Sequence, residues 1–459
     1  MFLLSRALWL IVFLFSLNLL VYFPHSAFAQ QNQETSAEEQ AKLLPNLQKV
    51  TDEVKDGFNY VFGSYLFVNT QKPSNSTQNL DNGFLEIPRY SSDIQFRPDL
   101  FLDFRRLKLM IKPRLTLDWD RWEDEDKEGD TSTDSDLFVN EWLARLRLAK
   151  DLIGSYGREN LQWGPAYFLS PSNPFFRDNG LSNPTTEISG SDFARIVWVP
   201  GSSWSLSFIA NIDQGRQEFI SEDFERTYAL KLDYNTYRKY LSLIPSYRER
   251  DRWRLGLYAG WTVSDGLLIY GESALSQGTN ALYPVEDSTV PLGIKMSNNK
   301  NSDKALEGIL LMGASYTLEA GPTFTIEYAY NSEGYNGEEA NLYYKLRERA
   351  AEAFFFPEPA SSLSRSVLLQ TLDPRLKLLR NHYLFLQYQY SQIWSVLGLV
   401  LRYTYNIDDN SNQFNPIVEY ALGDYTRLFL VGRYNFGSDE TEFGSIVDYF
   451  WSVGLVYTF

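Results

Sequence analysis

Few side chains in this sequence could act as nucleophiles, acids, bases or metal ligands. The 459 residues contain no cysteine and only two histidines, His25 and His382. A serine or aspartate hydrolase needs a neighbouring base, and only His382 lies outside the apolar N-terminal stretch. His382 shares the apolar face of its segment with Leu384 and Leu386. We therefore expect no enzymatic activity, no cofactor and no metal centre.

The side chains best suited to act on a solute are cations at alternating positions. Rings of Arg and Lys give a pore a preference for anions. The candidate pore-lining residues are Arg106, Lys108, Lys112, Arg114, Arg145, Arg147, Arg427 and Arg433. Acids predicted on the same face, among them Glu141 and Glu419, could instead pair with these cations, which would then only brace a wall. Both interpretations are open at this point.

Strands with a period of two must position these cations. In the segment 323–331, one apolar set alternates with a mostly polar one: Phe324, Ile326, Tyr328 and Tyr330 against Thr325, Glu327 and Ala329. This alternation is typical of a strand between lipid and a lumen. Eighteen such segments run from 58–68 to 446–459, and short and long connections alternate between them. We predict an all-β fold, a transmembrane antiparallel β-barrel of about eighteen strands (16–18) with periplasmic termini.

Charge and hydropathy exclude other classes of protein. The sequence has 42 Lys+Arg against 58 Asp+Glu, a net charge of −16, which excludes a nucleic-acid partner. A mean hydropathy of −0.31 argues against a polytopic helical membrane protein. Helical periodicity appears only at 35–50 and at 338–356, the second within the longest connection. We expect that second stretch to be a helix in an external loop.

The first thirty residues have the pattern of an export signal. A basic start and an apolar run over 7–23 lead to the small-x-small sequence Ala27-Phe28-Ala29. A single membrane-spanning helix is the rival interpretation, because the run approaches spanning length. The polar residues that follow favour cleavage. We predict a signal peptide over 1–29, a partly helical periplasmic segment over 30–56, and the barrel with its long external loops over 57–459.

One long connection is too apolar and too rich in proline for a solvated loop or a strand. Its distinctive residues are Trp163, Pro165, Tyr167, Phe168, Phe175 and Phe176. Irregular backbone is tolerated at membrane depth where it lines a cavity, so we predict that this connection folds into the lumen and narrows it. The alternative is that the aromatic residues pack on the barrel rim.

The connection over 123–136 carries eight acids and one lysine. Its start is similar to a calcium-binding loop, with Asp124, Asp126 and Glu128 followed by Gly129. The twelfth position is Ser135 where a bidentate Glu is expected, which favours a solvated acidic loop.

The C-terminal residues Ser452, Gly454, Tyr457 and Phe459 form a spaced pattern. It resembles the C-terminal signal of Gram-negative outer-membrane β-barrels, which are porin-like in architecture. The resemblance implies recognition by the barrel-assembly machinery and residence in the bacterial outer membrane, in contact with membrane lipid and lipopolysaccharide.

A second resemblance rests on about twenty residues, Gly157-Arg158 through Trp163-Gly164-Pro165 to Ser172-Asn173-Pro174-Phe175. They are similar to a segment of the capsule-assembly Wzi family and, more loosely, of polysaccharide-export porins. The resemblance implies an eighteen-stranded barrel that holds or exports polysaccharide. Wzi-like proteins usually carry a periplasmic helical bundle, and here only residues 35–50 could serve.

The leading functional expectation is a porin-like channel for hydrophilic solutes, anionic or saccharide, narrowed by an inward-folded loop. The alternative is a closed barrel that binds or anchors surface or capsular polysaccharide. A third possibility is a structural or adhesive surface protein that acts through the loops 277–305 and 332–381.

Overall fold

The computed structural model describes residues 53–123, 127–176, 179–181, 186–218, 223–250, 252–298 and 306–459. Within these ranges, eighteen strands form one antiparallel sheet in which strands adjacent in sequence pair with each other. The sheet closes because the first strand pairs both with the second and with the last. The predicted fold class, an antiparallel barrel of about eighteen strands, is confirmed.

The bounds of most wall strands agree with the predicted ones to within four residues, but the first strand ends five residues later and the fourth begins six residues earlier than predicted. The wall strands are β1 (Phe58–Pro73), β2 (Tyr90–Phe104), β3 (Leu107–Arg121), β4 (Thr131–Ala149), β5 (Leu152–Glu159), β6 (Ser191–Trp198), β7 (Trp204–Asp213), β8 (Thr227–Asn235), β9 (Lys239–Arg248), β10 (Trp253–Thr262), β11 (Leu267–Gln277), β14 (Leu306–Thr317), β15 (Thr323–Asn331), β16 (His382–Ile393), β17 (Leu397–Asn406), β18 (Asn412–Ala421), β19 (Thr426–Phe436) and β20 (Val447–Thr458). A hairpin of β12 (Tyr283–Glu286) and β13 (Ile294–Ser297) lies between β11 and β14.

The two faces of the wall differ in burial and in chemistry. On β15, Phe324 and Ile326 are 49% and 50% exposed. Thr325 and Glu327, which alternate with them, are 4% and 1% exposed. Because a closed barrel encloses only one side, the buried face is the lumenal one. The apolar face points outward and the polar face inward, as the period of two predicts.

Three long connections pack together beyond one end of the barrel. They contain a 3-10 helix (Thr77–Asn82), the β12–β13 hairpin, and two helices, α1 (Gly337–Phe354) and α2 (Ala360–Leu372). Their buried core consists of Ala281, Tyr283, Tyr335, Ala340, Tyr343, Tyr344 and Leu376. We call residues 74–89, 278–298 and 332–381 the loop layer.

Helix α1 confirms the helix predicted over 338–356. The Asn336 side chain accepts hydrogen bonds from the backbone of Glu338 and Glu339, and the Glu339 side chain accepts one from the backbone of Asn336. The helix ends before Pro357, which disfavours a helical preceding residue. The sequence does not predict α2, because serines in its first turn interrupt the apolar pattern of a helix. Packing against α1 stabilises α2.

Within the described ranges, neither helix is both long and apolar enough to cross a membrane. The helix predicted over 35–50 and the signal peptide lie outside the described residues.

Candidate functional site

The connection between β5 and β6 packs against the enclosed face of the wall. We call residues 160–190 the proline-rich segment, of which 160–176, 179–181 and 186–190 are described. The predicted strand over 153–163 ends early, at Glu159. The reason is that the chain leaves the wall there, and the backbone N–H of Asn160 donates to Glu141 of β4 (3.3 Å) instead of to the next strand.

A carboxylate on β15 holds the middle of this segment. Glu327 accepts hydrogen bonds from the backbone N–H groups of Tyr167 (2.7 Å) and Phe168 (2.8 Å). It also accepts one from the hydroxyl of Tyr270 on β11 (2.5 Å). Glu327 is 1% exposed, so its charge is compensated by hydrogen bonds rather than by water. The backbone of the segment is therefore fixed to the inner wall.

A second carboxylate, Glu272 of β11, binds the same segment. It accepts hydrogen bonds from the hydroxyls of Ser170 (2.5 Å) and Ser172 (2.7 Å) and from the backbone N–H of Ser172 (3.0 Å). Gly164 lies directly against it with a φ of +95°, and an added Cβ would sit 2.3 Å from a Glu272 carboxylate oxygen. Only glycine fits this position without movement of the neighbouring groups.

The predicted constriction aromatics pack onto side chains of the inner wall. The ring of Phe168 stacks on Phe385 of β16, with centroids 5.8 Å apart. Phe175 meets Phe193 of β6 edge to face at 5.0 Å, and Trp163 meets Phe175 at 5.8 Å. Phe175 and its neighbour in the chain, Phe176, are buried, whereas Pro165 and Tyr167 are half-buried. These contacts lie on the enclosed face, not on the outer surface of the wall.

The loop layer also binds the proline-rich segment. The Nζ atom of Lys377 donates to the backbone carbonyl oxygens of Ser170 (3.0 Å), Asn173 (3.0 Å) and Phe176 (3.4 Å). Lys377 lies between Leu376, in the core of the loop layer, and Leu378, in the core beneath the segment. One stretch of chain therefore connects the loop layer to the core beneath the proline-rich segment.

Arg114 is the most enclosed of the predicted pore-lining cations, at 3% exposure. Its Nε and one terminal nitrogen lie 2.7 Å from the two Glu187 carboxylate oxygens, and that terminal nitrogen lies 2.8 Å from Asp99. Glu187 belongs to the proline-rich segment, so this bidentate pair joins the segment to β3.

Most of the other predicted cations are also paired, Lys112 in an enclosed position and Lys108 and Arg427 in exposed ones. The ion pairs are Lys108–Asp103 (2.5 Å), Lys112–Glu141 (2.8 Å), Arg145–Glu159 (4.0 Å) and Arg427–Glu419 (3.1 Å). Arg433 instead lies 5.5 Å from the ring centre of Phe450. The pairs with Glu141 and Glu419 are the ones that the bracing interpretation names.

Arg106 lies outside the wall strand to which the sequence assigns it. Strand β3 begins at Leu107, and Arg106 completes a tight turn with Arg105, whose φ is +57°. The carbonyl oxygen of Arg106 accepts a hydrogen bond from the backbone of Arg147 (2.9 Å). Both Arg106 and Arg147 are exposed, so this pair sits at the end of the barrel and not inside it.

The proline-rich segment borders two cavities. The larger, of about 410 Å³, is lined by both charges: Arg248, Arg252, Arg254, Arg375 and Lys377, with Glu218, Glu225, Glu333 and Asp373. The smaller, of about 290 Å³, is lined by Arg97, Arg114 and Glu187, among others. Ser189 lines both, so the stretch around it separates them.

The sequence does not single out the cations of the larger cavity. They come from the ends of β9 and β10 and from the chain after α2, and only the fold brings these together. The dense charge over 248–254, with four arginines in seven residues, is the signal that could have indicated them.

His382 lies on the outward face among aromatic rings. Its Nδ1 is 2.6 Å from the hydroxyl of Tyr328, and its ring centre is 5.1 Å from that of Tyr330. The backbone N–H of His382 donates to Asp408 (2.8 Å).

The four residues of the C-terminal pattern divide between the two faces of β20. Ser452 is 3% exposed, and a Cβ on Gly454 would lie 2.3 Å from the ring of Phe67, so both face inward against neighbours. Tyr457 and Phe459 are 42% and 52% exposed on the outer face.

Solved bacterial structures share this fold. OccK8 (OprE) of Pseudomonas aeruginosa gives a TM-score of 0.54 at 10% identity, covering 88% of this chain and 98% of that one. OccK5 (OpdH) of the same organism gives 0.52 at 11% identity, with the same coverage. OccAB1 of Acinetobacter baumannii gives 0.51 at 10% identity, covering 88% and 97%.

By fold, the chain is an eighteen-stranded antiparallel barrel similar to these proteins. No protein-family model and no curated protein sequence matches it. The resemblance of 157–175 to Wzi proteins stays a prediction.

Proposed function

We propose that the protein is an outer-membrane, porin-like channel for hydrophilic solutes. The observation that carries the proposal is a closed barrel whose enclosed face is polar and borders cavities of about 410 and 290 Å³, while its outer face is apolar. Exposed Met312 (59%) and Ile326 (50%) are typical of the outer face. Such a surface is stable in lipid, and the C-terminal pattern and the export signal favour the bacterial outer membrane.

The proline-rich segment, on this proposal, narrows the passage. Its support is the pair of buried carboxylates, Glu272 and Glu327, which fix the segment's backbone to the inner wall. Lys377 of the loop layer adds a third attachment. A segment held at three places reduces the free cross-section at all times, in contrast to a loop that swings through solvent.

For the solute, we propose anionic or saccharide molecules that dwell in the larger cavity. Arg248, Arg252 and Arg254 supply positive charge, and Glu333 and Asp373 supply acceptors. Guanidinium groups bind carboxylates in bidentate geometry, and a mixed set of donors and acceptors suits hydroxyl-rich molecules.

The test is the reversal potential of single channels formed by the refolded mature chain, residues 30–459, in a planar bilayer under a salt gradient. Arg248→Gln with Arg254→Gln should lower the anion-to-cation permeability ratio roughly twofold. Arg238→Gln with Lys150→Gln is the matched control, because both residues are exposed in short turns near the opposite end of the barrel. An unchanged ratio in the cavity variant would reject the cavity as the selective element.

The second candidate is a closed barrel that binds surface polysaccharide. The observation that favours it is the loop layer, whose buried tyrosine core gives a folded surface on the side of the long connections. A correctly folded barrel that passes no current, yet retains capsular polysaccharide on cells, would replace the channel proposal with this one.

A further inference from the structure

The connection between β19 and β20, residues 437–446, is tied to the wall by one acidic side chain. The carboxylate of Glu442 accepts hydrogen bonds from the hydroxyl of Tyr383 (2.6 Å) and from the amide of Asn406 (2.7 Å). Both partners are 0% exposed. The Glu442 side chain is only partly exposed, and its carboxyl group therefore lies against buried groups at the ends of β16 and β17.

A second carboxylate lies beside the first. The backbone N–H of Glu442 donates to the side chain of Asp409 (2.9 Å), in the turn between β17 and β18. Burial raises the pKa of Glu442 to about 7; the hydrogen bond from Tyr383 opposes this rise, and the negative charge of Asp409 adds to it. Two carboxylates at one contact disfavour the doubly charged state.

Other ionisable groups near this contact do not neutralise it. Tyr344 of α1 is buried, and burial is the main cause of the rise in the pKa of Tyr344. The negative charge of Glu442 is close enough to add to that rise. Arg380 directs its Nε to the carbonyl oxygen of Tyr335 (2.9 Å). Its backbone N–H donates to the hydroxyl of Tyr383 (2.7 Å), which in turn donates to Glu442.

The same contact reaches the proline-rich segment. Phe443, next to Glu442 in the chain, packs against the buried cluster that contains Leu169 and Tyr383. The ring of Tyr383 lies 5.7 Å from the ring of Phe168, centre to centre. Tyr383 thus contacts the 437–446 connection through its hydroxyl and the proline-rich segment through its ring.

We propose that Glu442 is the proton-sensitive latch of the 437–446 connection: protonated, it seats the connection against Tyr383, and deprotonated, it releases it. The latch rests on the burial of the Glu442 carboxyl group and on its contacts with Tyr383, Asn406 and Asp409, whereas its effect on solute passage rests on the proposed function. Release would loosen the packing around Phe443 and Phe168, so passage should increase as the pH rises.

The sign of the pH dependence follows from the linkage between proton binding and the seated state. The pKa of Glu442 is raised from about 4.5 to about 7 when the connection is seated. The seated state is therefore fully favoured at low pH, and this preference is lost as the pH rises through about 7. The ideal relation gives about a tenfold increase in the opening constant between pH 6 and pH 8. Partial exposure of Glu442 to water screens the effect, so roughly threefold to tenfold is expected.

The chain has no cysteine, which permits a single-cysteine test. Ser445→Cys places a thiol at a buried position, 2% exposed, in the latched connection. Ser438→Cys places one at an exposed position in the same connection. The ratio of their maleimide labelling rates in refolded protein removes the intrinsic pH dependence of the thiol. We expect this ratio to rise by the stated factor between pH 6 and pH 8.

Glu442→Gln, which is neutral and of equal size, should abolish the pH dependence of the ratio. Glu440→Gln, the exposed neighbour in the same connection, should leave it intact. A flat ratio in the parent, or an undiminished rise in Glu442→Gln, would overturn the latch. If Glu442→Gln does not fold, Asp409→Asn decides: a transition that moves to lower pH supports the latch, and an unmoved one rejects it.

Channel currents separate the two proposals. A labelling transition without current at any pH would reject the channel and leave the latch standing. Current without a labelling transition would reject the latch and leave the channel standing.

Discussion

Lys377 donates a hydrogen bond to the backbone carbonyl oxygen of Ser170 across 207 residues of sequence (3.0 Å). Ser170 in turn donates to Glu272 on the inner wall (2.5 Å). The loop layer, the proline-rich segment and the wall are therefore linked by consecutive contacts.

The first prediction concerns that link. Lys377→Met keeps the aliphatic length but removes three hydrogen bonds to backbone carbonyls, which should destabilise the seated segment by about 2 kcal/mol. Hydrogen exchange of residues 166–176 in detergent should accelerate roughly thirtyfold. Lys345→Met, on the exposed face of α1, is the control and should leave exchange unchanged. Equal exchange in the two variants would mean that Lys377 does not hold the segment.

The second prediction concerns the carboxylate of Glu327. Glu327→Ala leaves the backbone N–H groups of Tyr167 and Phe168 buried without their acceptor, a cost of about 3 kcal/mol. The urea midpoint of the refolded barrel in lipid vesicles should fall. Glu319→Ala, exposed in the turn before β15, should leave it unchanged. A midpoint insensitive to Glu327→Ala would show that the hydrogen bonds from Tyr167 and Phe168 to Glu327 contribute nothing to stability.

The third prediction concerns Gly164. Alanine here must adopt a φ near +95° and place its Cβ against Glu272, so Gly164→Ala should destabilise the barrel by about 1–3 kcal/mol. Thermal unfolding followed by circular dichroism measures the loss. Gly201→Ala is the matched control, because its Cβ would meet open space. Similar melting of both variants would contradict the close approach.

The fourth prediction concerns the pair between Arg114 and Glu187. Arg114→Gln breaks a buried bidentate ion pair and should cost about 3 kcal/mol. It should also free the stretch around Ser189 that separates the two cavities, so single-channel conductance should rise. Arg121→Gln, which breaks an exposed pair with Glu123 (3.7 Å), should cost at most about 1 kcal/mol. A lower conductance in Arg114→Gln would indicate collapse of the segment rather than its release.

The wall could be predicted from sequence because each strand alternates between residues suited to lipid and residues suited to the enclosed face. On β15, four outward apolar residues alternate with inward polar ones, and no partner strand is needed to recognise the pattern. Strand β4 shows where this signal ends. Its first residues, 131–136, are polar on both faces, so the predicted start at 137 misses six residues of paired strand.

The interior could be predicted only in outline. The aromatic and proline content of 163–176 indicates an enclosed position, but the acids that hold it, Glu272 and Glu327, lie at least 100 residues from the groups that they bind. The cavity cations likewise come from separate connections. Such side chains meet because the barrel closes, and a single sequence does not record which distant residues become neighbours.

The seam between β1 and β20 carries a consequence for biogenesis. Gly63 lies opposite Thr458, and Phe62 exchanges two backbone hydrogen bonds with Phe459 (2.9 and 3.0 Å). Until β20 is in place, both β1 and β19 present open edges to any strand nearby. Closure of the barrel therefore depends on β20, and the edges of β1 and β19 must be kept from pairing with other strands until β20 joins them.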